Sequence, residues 1–100
     1  MTEQQNNILL HLSNMEIIKT KEFERSFEKL PKEIQELFLK QEQRFRENWR
    51  DPRLHIKKVR FLGFALSFRI TRRYRALFYL QNPQRAVFFD IDHRKDVYRL

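Results

Sequence analysis

The side chains best equipped for chemistry fall in one stretch, residues 64–98, FALSFRITRRYRALFYLQNPQRAVFFDIDHRKDVY. Arg69, Arg72, Arg73 and Arg75 sit close together there. A guanidinium is a planar fork of donors that pairs bidentately with phosphate and does not lose its charge. It can also stabilise negative charge developing on a phosphoryl group. His93 can give or take a proton near neutral pH. Arg94 is adjacent, and Tyr98 follows five residues on; a tyrosine stacks on an unpaired base or donates a hydrogen bond. His55, beside Lys57 and Lys58, is a second, less defined candidate. The combination points to a phosphate-bearing ligand. The plainer reading of the arginines is a solvated strand edge that resists aggregation.

Other chemistries find little support. Asp90, Asp92 and Asp96 near His93 match no metal-ligand spacing, and pairing with local arginines is their simplest use. No metal and no cofactor is expected. A single glycine rules out a glycine-rich phosphate loop, no Ser-His-Asp arrangement assembles, and the lack of cysteine excludes thiol chemistry and disulfides.

Strands must position these groups. From Phe64 to Thr71 the residues alternate, with Phe64, Leu66, Phe68 and Ile70 on one side and Ala65, Ser67, Arg69 and Thr71 on the other. Period 2 means a buried face and an open face. Asn82-Pro83 marks a hairpin between the last two of three apolar runs. Upstream, Met15–Thr20 is a short strand, and Thr20 is suited to cap a helix carrying Phe23, Phe27 and Leu30 on one face. Pro31 ends that helix and opens the next, which runs to about Trp49 with Ile34, Leu37, Phe38, Gln41, Phe45 and Trp49 inward. Glu33, Glu36, Lys40 and Arg44 face water. Residues 54–61 are expected as a short edge strand. The fold class is α+β: a strand, a helical hairpin, then an antiparallel meander of three to four strands, with the helices on one sheet face and the other face open. Residues 1–14 are expected as an N-terminal tail and 15–100 as a single domain.

The formal net charge of +8 is unevenly placed. Residues 1–43 carry 6 basic against 8 acidic side chains, and residues 44–100 carry 15 against 5. A basic half of this kind implies a nucleic acid, an acidic protein partner or, least of the three because its cations fall on strand-like segments, a membrane surface. No apolar run of transmembrane length and no signal-peptide pattern appears. A cytoplasmic protein without membrane partners is expected.

The element order, the segment SFRITRRYRALFYL (Ser67 to Leu80) and the terminal HRKDVYR (His93 to Arg99) resemble the RelE/ParE toxin superfamily of bacterial toxin–antitoxin systems. The resemblance covers about Met15 to Leu100. It implies a RelE-like toxin that is a metal-independent endoribonuclease cleaving messenger RNA, on the ribosome in many members, and so repressing translation. The alternative it carries is a ParE-like gyrase inhibitor. By the same resemblance, Arg75 matches the arginine holding the scissile phosphate, and Arg69 lies near the position of a catalytic lysine. Tyr98 matches the tyrosine that orients the substrate nucleotide, and His93 occupies the place of a proton-transfer group. His55, Lys57, Lys58, Arg72, Arg73 and Arg94 would bind RNA. A cognate antitoxin would lay acidic and apolar residues on the basic half, adding a strand near residues 54–61 or 87–91.

Overall fold

In a computed structural model of the chain, residues 14–93 are described. The elements run β1 (Glu16–Lys19), α1 (Lys21–Glu28), α2 (Lys32–Glu47), a 3-10 turn (Pro52–Leu54), β2 (Lys57–Lys58), β3 (Leu66–Arg69), β4 (Tyr74–Asn82) and β5 (Arg85–His93). The five strands form one sheet in the order β1-β5-β4-β3-β2. Strands β2 to β5 pair antiparallel, while β1 pairs parallel with β5, Glu16 opposite Arg85 and Lys19 opposite Phe88. Both helices cover one face. The expected α+β arrangement holds, with β1 closing the far edge. Among the described residues no helix is long and apolar enough to cross a membrane.

Local chemistry explains the helix boundaries. The Thr20 hydroxyl accepts from the Phe23 backbone N–H at 3.1 Å, satisfying one of the free donors at the start of α1. The Gln35 side-chain amide donates to the carbonyls of Phe27 (3.0 Å) and Leu30 (3.1 Å) and ties the end of α1 to α2. Helix α2 stops at Glu47, so Trp49 packs on Phe78 from beyond the helix. Gln41, buried in α2, donates to the carbonyls of Arg53 (3.1 Å) and Arg69 (2.7 Å) and ties the helix to the 3-10 turn and the end of β3.

Phenylalanine fills the space between helices and sheet. Phe23, Phe38, Phe45, Phe68, Phe78 and Phe88 are all buried. Phe88, near the middle of β5, touches the other five, with ring centroids 5.0–6.1 Å apart in tilted and edge-on pairs. Such pairs add to the area they bury.

Several expectations fail here. Phe64 does not join the core and is 63% exposed. Residues 59–65 form a turn closed by the Val59 N–H to Ala65 carbonyl bond (3.0 Å), so the alternation starts only at Leu66. Residues 54–61 are not one strand, because the 3-10 turn and a left-handed His55 (φ 49°) leave only Lys57–Lys58 to pair. The face away from the helices is not wholly open: Val59, Ala65 and Leu77 are buried on it in a second, smaller cluster. Nor do residues 87–91 form an edge, since β5 lies between β1 and β4. The tail expected at residues 1–14 falls, but for Asn14, outside the described residues.

Phe88→Ala should remove about 3–5 kcal/mol of stability. A small domain typically has about 5–15 in all. Urea unfolding followed by circular dichroism checks this, and a loss below about 1 kcal/mol would show that Phe88 is not the hub of the core.

Candidate nucleic-acid interface

Strand register sets which basic residues meet. Arg69 stands opposite Arg75, and Arg75 opposite residue 92, in one row across β3, β4 and β5. Tyr74 stands opposite His93 in the next row. Successive residues point to opposite faces. Arg69 and Arg75 therefore lie on the face away from the helices, and Tyr74 and His93 on the helix side. The structure gathers the predicted residues at one end of the sheet but divides them between its two faces.

On the outer face Arg75 is fully buried. Its Nε donates to the Ser67 hydroxyl at 2.8 Å, and Nη2 donates to the Ser67 carbonyl at 3.3 Å and to the His55 carbonyl. The Ser67 hydroxyl in turn donates to the Lys57 carbonyl at 3.5 Å. A buried guanidinium must be hydrogen-bonded to offset its desolvation, and these bonds fasten residues 55–57 to the sheet. Lys57 and Lys58 project from that segment, both exposed, and the His55 side chain is exposed beside them. Arg69 is half-buried at the end of β3.

Before the segment, Asp51 caps the 3-10 turn and binds Arg53 at 2.7 Å. Side-chain and backbone hydrogen bonds from Arg53 lower the Asp51 carboxyl from 3.8 to about 2.

On the helix side, Tyr74 and His93 pack edge to face, centroids 5.5 Å apart. They line a groove of ≈ 420 Å³ with Ile34 and Glu33 of α2 and with Thr71, Arg72 and Arg73 of the β3–β4 turn. The Thr71 hydroxyl accepts from the N–H groups of Arg73 (3.1 Å) and Tyr74 (3.2 Å), holding the turn that presents Arg72 and Arg73 to solvent. Glu33, expected on a plain water-facing surface, borders this groove. Arg94 and Tyr98 lie outside the described residues. Sequence reasoning passed over Ser67, Thr71 and Tyr74. Thr71 had a readable signal, since a threonine two residues before a turn's backbone N–H commonly caps that turn. Among the described residues no group of three or more His, Cys, Asp or Glu is placed to hold a metal.

Ser67→Ala leaves a buried guanidinium N–H without its acceptor and should cost about 1–3 kcal/mol. Amide hydrogen exchange should also quicken at residues 57–59. Unchanged exchange there would mean that the Arg75 bonds do not hold the segment. The Asp51 carboxyl, lowered in the fold, contributes stability that is present above about pH 4 and fades as pH falls towards 2. Over that interval the Arg53 amide should lose its protection from exchange, and in Asp51→Asn its protection should no longer change with pH.

No protein-family model and no curated protein sequence matches the chain. Solved structures do match. RelE in the archaeal RelE–RelB complex from Pyrococcus horikoshii superposes with a TM-score of 0.65 at 14% identity, over 81% of this chain and 96% of that one. The RelB–RelE antitoxin–toxin complex from Methanococcus jannaschii gives 0.66 at 19%, over 81% and 94%. A RelBE toxin–antitoxin complex from Mycobacterium tuberculosis gives 0.61 at 25%, over 81% and 99%. Two helices on one face of a five-stranded mixed sheet, matched over most of the chain, give this protein the architecture of the RelE-like toxin superfamily.

Proposed function

We propose that the chain is the toxin of a toxin–antitoxin pair and an endoribonuclease that cleaves messenger RNA. One observation carries the reading. Residues 52–89 contain nine lysines and arginines and not one aspartate or glutamate. They supply β2, β3, β4 and every turn between them. A polyanion is the natural ligand of such a surface, since cations that neutralise phosphates release condensed counterions.

The reaction is an internal transesterification. The ribose 2′-oxygen bonds to the adjacent phosphorus, the bond from phosphorus to the 5′-oxygen breaks, and a 2′,3′-cyclic phosphate and a 5′-hydroxyl result. A proton leaves the 2′-hydroxyl and another reaches the departing oxygen. His93 is the group suited to move a proton, at the mouth of a groove that Arg72 and Arg73 border. Arg69 supplies charge to the phosphate from the outer face. Arg75 acts through the segment it holds, presenting His55, Lys57 and Lys58 to the RNA backbone. Arg94 and Tyr98 keep the roles that the resemblance implies, the latter on the base. A strand of RNA drawn over this end of the sheet meets both sets of side chains.

The partner follows from the same charge. The structures from P. horikoshii and M. jannaschii pair RelE with RelB. An antitoxin for this chain would present acidic and apolar residues to the basic face and could extend the sheet at β2, one of its two edges.

Purified protein should cut messenger RNA, with or without ribosomes, in the presence of EDTA, and primer extension should map the ends. His93→Ala should slow cutting by about 10²–10⁴-fold, and Arg69→Ala by about 10²–10³-fold. No cleavage under either condition would refute the reading. A gyrase-directed toxin would instead stay toxic as His93→Ala, which growth after induction reads directly.

A further inference from the structure

On the outer face, β4 carries Arg75, Leu77 and Tyr79 in line, so Tyr79 lies about 13 Å along the strand from Arg75. There the character of the face changes. Phe89 reaches it from β5, where an extra residue opposite Leu77 and Phe78 makes a bulge, the device by which strands re-aim a side chain. Phe64 comes from the 59–65 turn. Phe64, Tyr79 and Phe89 meet with ring centroids 5.9–6.2 Å apart. Phe64 is 63% exposed, and Phe61 in the same turn is 68% exposed. Lys57, Lys58 and Arg60 lie at or next to the turn, all exposed, within the stretch that has no acid.

We propose that Phe64, Tyr79 and Phe89 form a platform on which unpaired RNA bases stack, a few nucleotides from the cleavage position, an inference that rests on the RNA-cleaving function above. Aromatic rings set among cations are the means by which single strands are held without sequence reading, because every base offers a π-face. The platform is on the same face as Arg69 and within a few nucleotides' reach of it. Charge complementarity selects the occupant: the exposed Lys57, Lys58 and Arg60 lie at or next to the turn that carries Phe64, so a polyanion with flat apolar groups fits these rings.

The test is binding of a fluorescein-labelled single-stranded RNA whose riboses are all 2′-O-methylated. It has no attacking hydroxyl and cannot be cut, so binding is read apart from catalysis. Anisotropy should show Phe64→Ala binding about 5- to 100-fold more weakly than the native chain. Phe64→Trp should bind like the native chain or more tightly, and Phe64→Leu as weakly as alanine. The dependence of affinity on salt should be the same in all three, because stacking releases no counterions. Lys57→Ala should flatten that dependence. Equal binding by native, alanine and leucine chains would overturn the platform and leave the RNA reading intact. Native-like binding by Phe64→Leu alone would also overturn it, marking a simple apolar contact such as a protein segment would use. Failure of the native chain to bind this RNA, together with failure to cleave messages, would overturn the underlying function instead.

Discussion

The Arg75 guanidinium governs the basic face. A charge with no exposed surface is tolerated only when its donors are met, and Ser67 and the His55 carbonyl meet those of Nε and Nη2. This constraint reaches well beyond one strand. It fixes the backbone after the 3-10 turn, and so the direction in which the short edge strand β2 leaves. Two paired residues could not hold that edge by ladder bonds alone. The left-handed backbone of His55, unusual for a residue with a Cβ, is stabilised where its carbonyl receives the buried cation.

Concentrating cations on one surface has an electrostatic cost in the free protein, because like charges repel across the face. The fold leaves that repulsion in place, because acids lie elsewhere and pair with other cations. Glu42 is buried in α2 and binds Lys19 of β1 at 2.7 Å, and that lysine also lies over the Phe38 ring. Glu16 binds Arg85 at 2.9 Å across the β1–β5 pair. These contacts use the acid-richer first half to fasten β1 to the helix above it and the strand beside it. Among the described residues, the exposed Lys57, Lys58 and Arg60 of the outer face make no ion pair.

Much of the architecture was legible from residue patterns. Thr20 before an amphipathic run, Pro31 between two such runs and the alternation through Phe68 and Ile70 each report a local rule, and the fold obeys each one. What failed depended on non-local contacts. Phe64 matched the strand period but belongs to a turn whose closing bond is made by Val59. The β1–β5 pairing joins residues 69 apart, which no local pattern reports. The candidate site was legible as a set of residue types, but its geometry was not. Arg75 looks like an exposed phosphate ligand from its neighbours in sequence, and only the approach of His55 and Ser67 shows it covered. His93 and Arg75 are near in sheet register, yet the pleat sends them to opposite sides.

The parallel contact of β1 with β5 also sets a timetable. A ribosome adds roughly 5–20 residues per second, so β1 waits on the order of several seconds before the strand it pairs with exists. Until then the core has no Phe88, the ring that touches all five other buried phenylalanines, and both helices lack most of the surface they cover. Both helices are therefore made before the strands they cover, β1 excepted. The strands of the basic face, β2 to β4, are made before β5 completes the core.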